Sequence, residues 1–216
     1  MQPLISIRNI SKKLGSNTIL NDLSLDIFKG ELLGIVGPSG AGKTTLLRTI
    51  IGYYNITSGS ILYQEKDISK QRGVIQKVFG YASQEGTLYE DLTLRENIQY
   101  FGTLYSLKRK VIKERMTILT KTVGLENQLD KKIKEYSGGM KKRAEIAVAL
   151  LHYPEVLILD EPTAGLDPAT RQSIQQLIIT LQRSGTTILL CSHFINELEP
   201  VSTRIAILAK SKIIAV

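Results

Sequence analysis

The stretch 31-ELLGIVGPSGAGKTTLLRTIIGY-53 decides the fold. It opens with a nearly continuous apolar run, Leu32 to Val36, and stops at Gly37. A run with no polar alternation marks a strand covered on both faces, the habit of parallel sheets. Leu46, Leu47, Ile50 and Ile51 then recur at helical spacing. Between strand and helix lies 37-GPSGAGKTT-45, which matches G-x-x-x-x-G-K-[ST] in the strand–loop–helix context that the motif requires. Gly37, Gly40 and Gly42 let the backbone wrap closely, so that successive N–H groups point at a phosphate, with Pro38, Ser39 and Ala41 between them. The helix N-terminus at Lys43, Thr44 and Thr45 adds partial positive charge. Lys43 is expected to reach the β- and γ-phosphates, and the Thr44 hydroxyl to take a Mg²⁺ position.

Outward from this loop the chain alternates strands and helices. On the N-terminal side, "LISIRNI" and "LSLDIFKG" alternate apolar and polar residues and read as half-buried strands. On the other side, "GSILYQ" and "KVFGYAS" read as further strands. From about residue 89 to 152 the pattern turns helical, in "LRENIQYFGTLYSL", "KVIKERMTILTKTVGL" and "GGMKKRAEIAVALLHY". Strands resume with "VLILD" and "TTILLC", separated by the helix "PATRQSIQQLIITLQRSG", and "RIAILAKSKIIAV" closes as a hairpin. This order predicts an α/β fold with a mainly parallel sheet and an inserted helical lobe.

Composition sets the outer limits. The 216 residues suit one substantial domain, and 28 Lys+Arg against 20 Asp+Glu give a net charge of +8. That excess permits phosphate ligands, an anionic membrane surface or nucleic acid, and equally a solvated basic surface. A single cysteine, Cys191, excludes an internal disulfide and reads as a small buried hydrophobe. No apolar run approaches the roughly 18 residues of a membrane helix, and the N-terminus lacks a signal-peptide core.

Two further stretches carry chemistry. "VLILDEP", 156–162, is an apolar strand ending in two acids, whose tip should lie beside the phosphate loop. Asp160 is then placed to hold Mg²⁺, directly or through water, and Glu161 to polarise an attacking water. "EYSGGMKKR", 135–143, starts a helix at the N-cap residue Ser137, yet crowds Lys141, Lys142 and Arg143 into its first turns. Positive charge is unfavourable at that end of the helix dipole. An incoming anion would make the cations tolerable, and a solvated face is the other reading for at least two of them.

The ordered set of phosphate loop, "YASQ" (81–84), "YSGGM" (136–140), "LILDEP" (157–162), "AGLDP" (164–168) and "CSHF" (191–194) resembles the nucleotide-binding domain of ABC transporters over nearly the whole chain. The resemblance implies a phosphate-loop NTPase core with an N-terminal antiparallel β-subdomain. Core and β-subdomain would span about 1–88 and 153–216, and the helical subdomain about 89–152. It implies ATP and Mg²⁺ as ligands. Gln84 would contact Mg²⁺ or the attacking water; Ser137, Gly138 and Gly139 would form the signature that closes over ATP held by a second copy. Asp167 would lie in a loop crossing that dimer interface, and His193 would sense the γ-phosphate. His152 matches no motif and reads as ordinary surface.

The implied partners are membrane permease subunits and a second ATPase, identical or paralogous, with the chain on the inner face of the cell membrane and no stable nucleic acid bound. A soluble relative acting on ribosomes or nucleic acid is the alternative. Three departures from the family pattern matter. Met140 replaces the usual Gln, a form similar to the exporter branch for drugs and polysaccharides. Leu14 stands where the family usually stacks an aromatic on adenine, so weak base discrimination is expected. With Val216 following the closing hairpin, a C-terminal regulatory domain of the sugar-importer kind is not expected.

Overall fold

The computed structural model describes residues 2–216. In chain order, β1 (Ile5–Leu14), β2 (Asn17–Ile27) and β3 (Leu32–Val36) lead into α1 (Lys43–Ile50). β4 (Ser58–Tyr63), the short β5 (Lys66–Asp67), α2 (Arg72–Val78) and β6 (Phe79–Ala82) follow. The helical stretch holds α3 (Leu94–Leu104), α4 (Arg109–Thr122), a 3₁₀ turn at Ile133–Glu135 and α5 (Gly138–Ala149). The chain ends with β7 (Val156–Asp160), α6 (Pro168–Arg183), β8 (Thr187–Ser192), α7 (Ile195–Leu198), β9 (Arg204–Ala209) and β10 (Lys212–Ala215).

Two sheets form. One is antiparallel, in the order β2-β1-β4-β5. The other runs β10-β9-β3-β8-β7-β6, parallel except for β10 at its edge. The apolar strands explain how both faces are covered. In β3, Leu32 and Val36 point into a core shared with α3, α4, α5 and α6. Leu33 and Ile35 point the other way, into a core with α1 and the antiparallel sheet. The strict period of two thus divides one strand between two cores.

In β1 the alternation is re-phased between Ile7 and Ile10. Ile5, Ile7 and Ile10 are all fully buried, although Ile10 has the wrong parity. A register shift between Ile7 and Ile10, with Asn9 at φ +49°, turns Ile10 back inward. Asn tolerates this left-handed conformation better than most residues.

The sequence reading needs three adjustments. The strand expected over 77–83 begins only at Phe79, because Val74, Ile75 and Val78 draw the preceding residues into α2. The β1–β2 hairpin is longer at its turn than the alternation suggested, since "SKKL" and "NTIL" pair with register shifts that hide the pattern. The four-residue α7 is too short to show a period. Among the described residues no helix is long and apolar enough to cross a membrane.

Candidate active site

The phosphate loop is shaped by its glycines. A Cβ on Gly37 would stand 2.2 Å from the Leu208 carbonyl oxygen, so only glycine fits there. Gly42 is the N-cap of α1 at φ +102° and offers no side chain to the first-turn N–H groups. Those donors are left to a ligand. A Cβ on Gly42 would also meet the Ile19 carbonyl oxygen at 3.1 Å, which ties the loop to β2. Leu14 lies at the turn end of the same β1–β2 hairpin, paired with Asn17 and 38% exposed. Thr44 and Thr45 are half-buried at the start of α1; Pro38, Ser39 and Gly40 are exposed and Ala41 is buried.

Lys43 is only 4% exposed. Its Nζ donates to the carbonyl oxygens of Gly37 (2.8 Å) and Pro38 (3.3 Å) and to His193 Nδ1 (2.8 Å), and stands 3.9 Å from Glu161 Oε1. Burial lowers its pKa, with Glu161, Cys191 and Asp160 opposing. Because Nδ1 accepts from Lys43, the network assigns the ring proton to Nε2, which donates to Glu161 Oε1.

Strand register brings these groups together. Val36 lies beside Ser192 and Asp160 beside Cys191, so the next residues, Gly37, His193 and Glu161, emerge side by side at the C-terminal ends of β3, β8 and β7. That edge is where open α/β sheets bind ligands. Glu161 is held in a turn, at φ +51° with its N–H on the Cys191 carbonyl oxygen. Burial pushes its carboxyl above the ordinary range; His193 and Lys43 oppose this, and Asp160 and Glu197 reinforce it. Asp160 is 1% exposed; its Oδ2 accepts from the Tyr81 hydroxyl at 3.1 Å, while Oδ1 is buried with no partner. Burial, helped by the neighbouring Asp160, pushes the Tyr81 hydroxyl's pKa up. A hard cation with oxygen ligands fits such an orphaned carboxylate oxygen, with the Thr44 hydroxyl as a second donor.

The signature helix answers the charge puzzle differently from expectation. Ser137 caps α5, its Oγ accepting from the Met140 N–H at 3.3 Å. The three cations are not a solvated face. Lys141 pairs with Glu90, and Lys142 donates to Glu145 Oε2 (3.1 Å) and the Gln84 carbonyl oxygen (3.0 Å). Arg143 donates to the Val123 carbonyl oxygen at the end of α4 (2.7 Å) and to Ser173 Oγ. Cations long enough to reach neighbours thus leave the helix start free of uncompensated charge.

Gly138 and Gly139 face α6 and the loop before it: an added Cβ would lie 3.1 Å from Leu166 Cδ2 and 2.4 Å from Thr170 Cγ2, respectively. Asp167 caps α6, accepting from the Thr170 N–H at 3.0 Å, and hydrogen bonding from Thr170 holds its carboxyl below the usual range. Gln84 follows β6 with its side chain exposed.

His152 is not ordinary surface. It is half-buried, stacks on Tyr105 with ring centroids 4.1 Å apart, and contacts the Phe79 carbonyl oxygen through Nε2 at 3.1 Å. Burial lowers its pKa. Cys191 is buried as expected. Sequence reasoning missed Tyr81, Lys142 and Glu197. Tyr81 opens the "YASQ" motif and Lys142 lies in the helix that follows the signature, so both were in view without their partners. A cavity of about 610 Å³ between α3 and α4 is lined by none of the expected site residues.

The profile of the family described as ABC transporter matches residues 20–164, well over half of the chain. This chain belongs to the ABC transporter family. As an ABC ATPase it binds ATP and hydrolyses it to power transport. It is 37% identical over 213 residues to the linearmycin resistance ATP-binding protein of Bacillus subtilis, covering 99% of this chain and 68% of that one. It is 38% identical over 212 residues to a Nod factor export ATP-binding protein of Burkholderia lata, covering 98% and 69%. A nucleotide-free ATP-binding cassette from an ABC transporter superposes with a TM-score of 0.89 at 25% identity, over 99% of this chain and 90% of that one. The ABC cassette fold is therefore the one observed here.

Proposed function

We propose that this ABC ATPase drives export, working in a head-to-tail pair with a second copy or a paralogue beneath separate membrane permease subunits. It would then lie on the inner face of the cell membrane. Support for export comes from the relatives named for linearmycin resistance and Nod factor export, together with the Tyr-Ser-Gly-Gly-Met signature. The same relatives disfavour the ribosome or nucleic-acid reading. The unit is one ABC domain, with the helical subdomain at about 89–152 inserted into a core and β-subdomain at about 1–88 and 153–216.

The observation that carries the mechanism is the convergence of Lys43, Glu161 and His193 at the ends of three adjacent parallel strands. ATP phosphates bind residues 37–45, where α1 N–H groups and Lys43 neutralise their charge. Glu161 orients the attacking water and accepts its proton, and its upward-shifted pKa suits a base. His193 Nε2–H, turned from Glu161, supports the γ-phosphate. Mg²⁺ held by Asp160 and Thr44, with Gln84 as the further ligand the resemblance implies, would supply further charge neutralisation on the β- and γ-phosphates. Leu14 packs on the base. Ser137, Gly138 and Gly139 make their close contacts with Met140, Leu166 and Thr170, away from the phosphate loop. As the resemblance to ABC cassettes implies, their N–H groups would meet ATP on a partner, with Asp167 at the same interface.

Sedimentation of Glu161→Gln with Mg-ATP tests this reading. An ATP-trapped dimer with little turnover is expected, and Ser137→Arg should abolish both dimer and activity. Monomers only, or wild-type turnover in either variant, would overturn it.

A further inference from the structure

Four residues after His193 stands an acid that the mechanism does not use. Glu197 opens no motif, yet its side chain is only 13% exposed. Its Oε2 accepts from Ser192 Oγ at 2.7 Å and from Thr163 Oγ1 at 2.9 Å. Its Oε1 faces Arg171 Nη1 at 3.4 Å. Each partner belongs to a different segment of the active site. Ser192 immediately precedes His193, and its Oγ also accepts the Phe194 N–H at 3.1 Å, so it holds the backbone on both sides of the histidine. Thr163 lies two residues beyond Glu161, in the turn closed by the Ala164 N–H on the Glu161 carbonyl oxygen. Arg171 belongs to the first turn of α6, which Asp167 caps. Both hydroxyl donors are buried, Ser192 at 4% and Thr163 at 5% exposure.

We infer that Glu197 is a positioning residue for ATP hydrolysis: one carboxylate pins the turn that carries Glu161, the loop that carries His193 and the start of α6 to each other. The chemistry requires a carboxylate. Every side-chain contact of Glu197 is as an acceptor, and an ionised carboxylate is acceptor-only. An amide must turn its NH₂ either toward the Arg171 guanidinium, which has only donors, or toward the two hydroxyls. One arm of the clamp is then reversed or lost. The Glu161–His193 contact depends on this clamp because the two side chains arise from different strands. A small relaxation between reacting groups costs rate more than affinity. The phosphate loop is not part of the clamp, so ATP binding should be spared.

The inference rests on the assignment of Glu161 and His193 above, and the test separates the two. ATPase kinetics, ATP affinity and thermal unfolding are measured for Glu197→Gln, Ser192→Ala and Glu161→Gln. Glu197→Gln keeps the volume, and Ser192→Ala removes one donor if the amide misfolds. The expected result is a fall in kcat of about tenfold or more for Glu197→Gln and a smaller fall for Ser192→Ala, with ATP Kd within about twofold of wild type. Thr163→Val should reproduce the Ser192→Ala effect. If kcat is unchanged in Glu197→Gln and Ser192→Ala while Glu161→Gln is inactive, the clamp is refuted and the base assignment stands. A parallel loss of kcat and ATP affinity, tracking a lowered Tm, would also refute it, because the residue would then serve only the fold. Wild-type turnover in Glu161→Gln would instead remove the reading on which the clamp rests.

Discussion

Replacing Gly139 by Ala sets two effects of similar size against each other. Within a helix, alanine is favoured over glycine by about 1 kcal/mol. Gly139 is the second residue of α5, so the full gain is an upper bound. Against it, the new methyl would stand 2.4 Å from Thr170 Cγ2 on α6, far inside the roughly 3.5–4.0 Å of carbon–carbon contact. Thr170 cannot swing away freely. It is β-branched and in the first turn of a helix, and its N–H is bonded to Asp167 Oδ1. Overpacking of this kind costs about 1–3 kcal/mol and the helix gain returns at most about 1, so Gly139→Ala should destabilise by up to about 3 kcal/mol net. Thr170→Ser removes the clashing methyl and keeps the hydroxyl. In that background Gly139→Ala should be neutral, or stabilising by up to about 1 kcal/mol, a coupling of about 1–3 kcal/mol. Urea unfolding of wild type, both single variants and the double variant, all without nucleotide, measures the cycle independently of catalysis. A coupling near zero would refute the claim that this glycine is required by the α5–α6 contact, and would leave its phosphate role as the only reason for it.

Three other outcomes follow from particular contacts. Leu14→Tyr should tighten ATP binding, since base–aromatic stacking can be worth about 1–3 kcal/mol; an unchanged Kd in titration calorimetry would sink the reading of position 14. Lys142→Met leaves Glu145 buried without its cation and frees the Gln84 carbonyl oxygen, so a loss of about 3–5 kcal/mol in urea unfolding is expected. Burial already raises the Glu145 pKa against the pull of Lys142, and the variant should raise it further. The stability from that proton is complete below the unfolded pKa near ~4.3 and lost as pH rises through the folded pKa, so the variant's deficit should shrink in acid. His152 behaves in the opposite sense: burial depresses its pKa, so its contribution is present above the unfolded value near ~6.5 and lost as pH falls through the folded value. His152→Phe keeps the stack on Tyr105, and its Tm should fall less than wild type between neutral pH and the folded pKa.

The parts of the site legible in the sequence were those with a strong local cause. Glycines 37, 40 and 42 followed by Lys43 and Thr44 specify a loop with few alternatives, and an apolar strand ending in Asp160 and Glu161 has one place to go in a parallel sheet. What stayed hidden was long-range. Tyr81 reaches Asp160 across 79 residues, and Lys142 reaches Gln84 across 58. No period or spacing encodes such pairs. The cations after Ser137 were misjudged for the same reason: their helix was legible, while Glu90, Gln84 and Val123 lay on other elements. His152 was misjudged because a lone polar residue at a helix end carries no sign of the aromatic ring that will cover it. The β1–β2 hairpin was under-read because three register shifts break its alternation.

The groups that should act on ATP are, without it, each other's partners. Lys43 is buried and disfavoured as a cation by desolvation, and the Gly37 and Pro38 carbonyl oxygens, His193 Nδ1 and the nearby acids offset that cost. His193 in turn donates to Glu161. A γ-phosphate offers Lys43 a stronger anion than any of these, and offers the His193 N–H a better acceptor than a carboxylate shared with Lys43. The His193 donor and the Lys43 charge 3.9 Å away would then both turn from Glu161 to the same ligand. Removing them takes away the two influences that lower the Glu161 pKa, while burial, Asp160 and Glu197 continue to raise it. On the proposed assignment, nucleotide binding should therefore leave Glu161 a more basic, unoccupied carboxylate. The proposed base would then gain strength only when substrate is present, which would link hydrolytic competence to occupancy of residues 37–45.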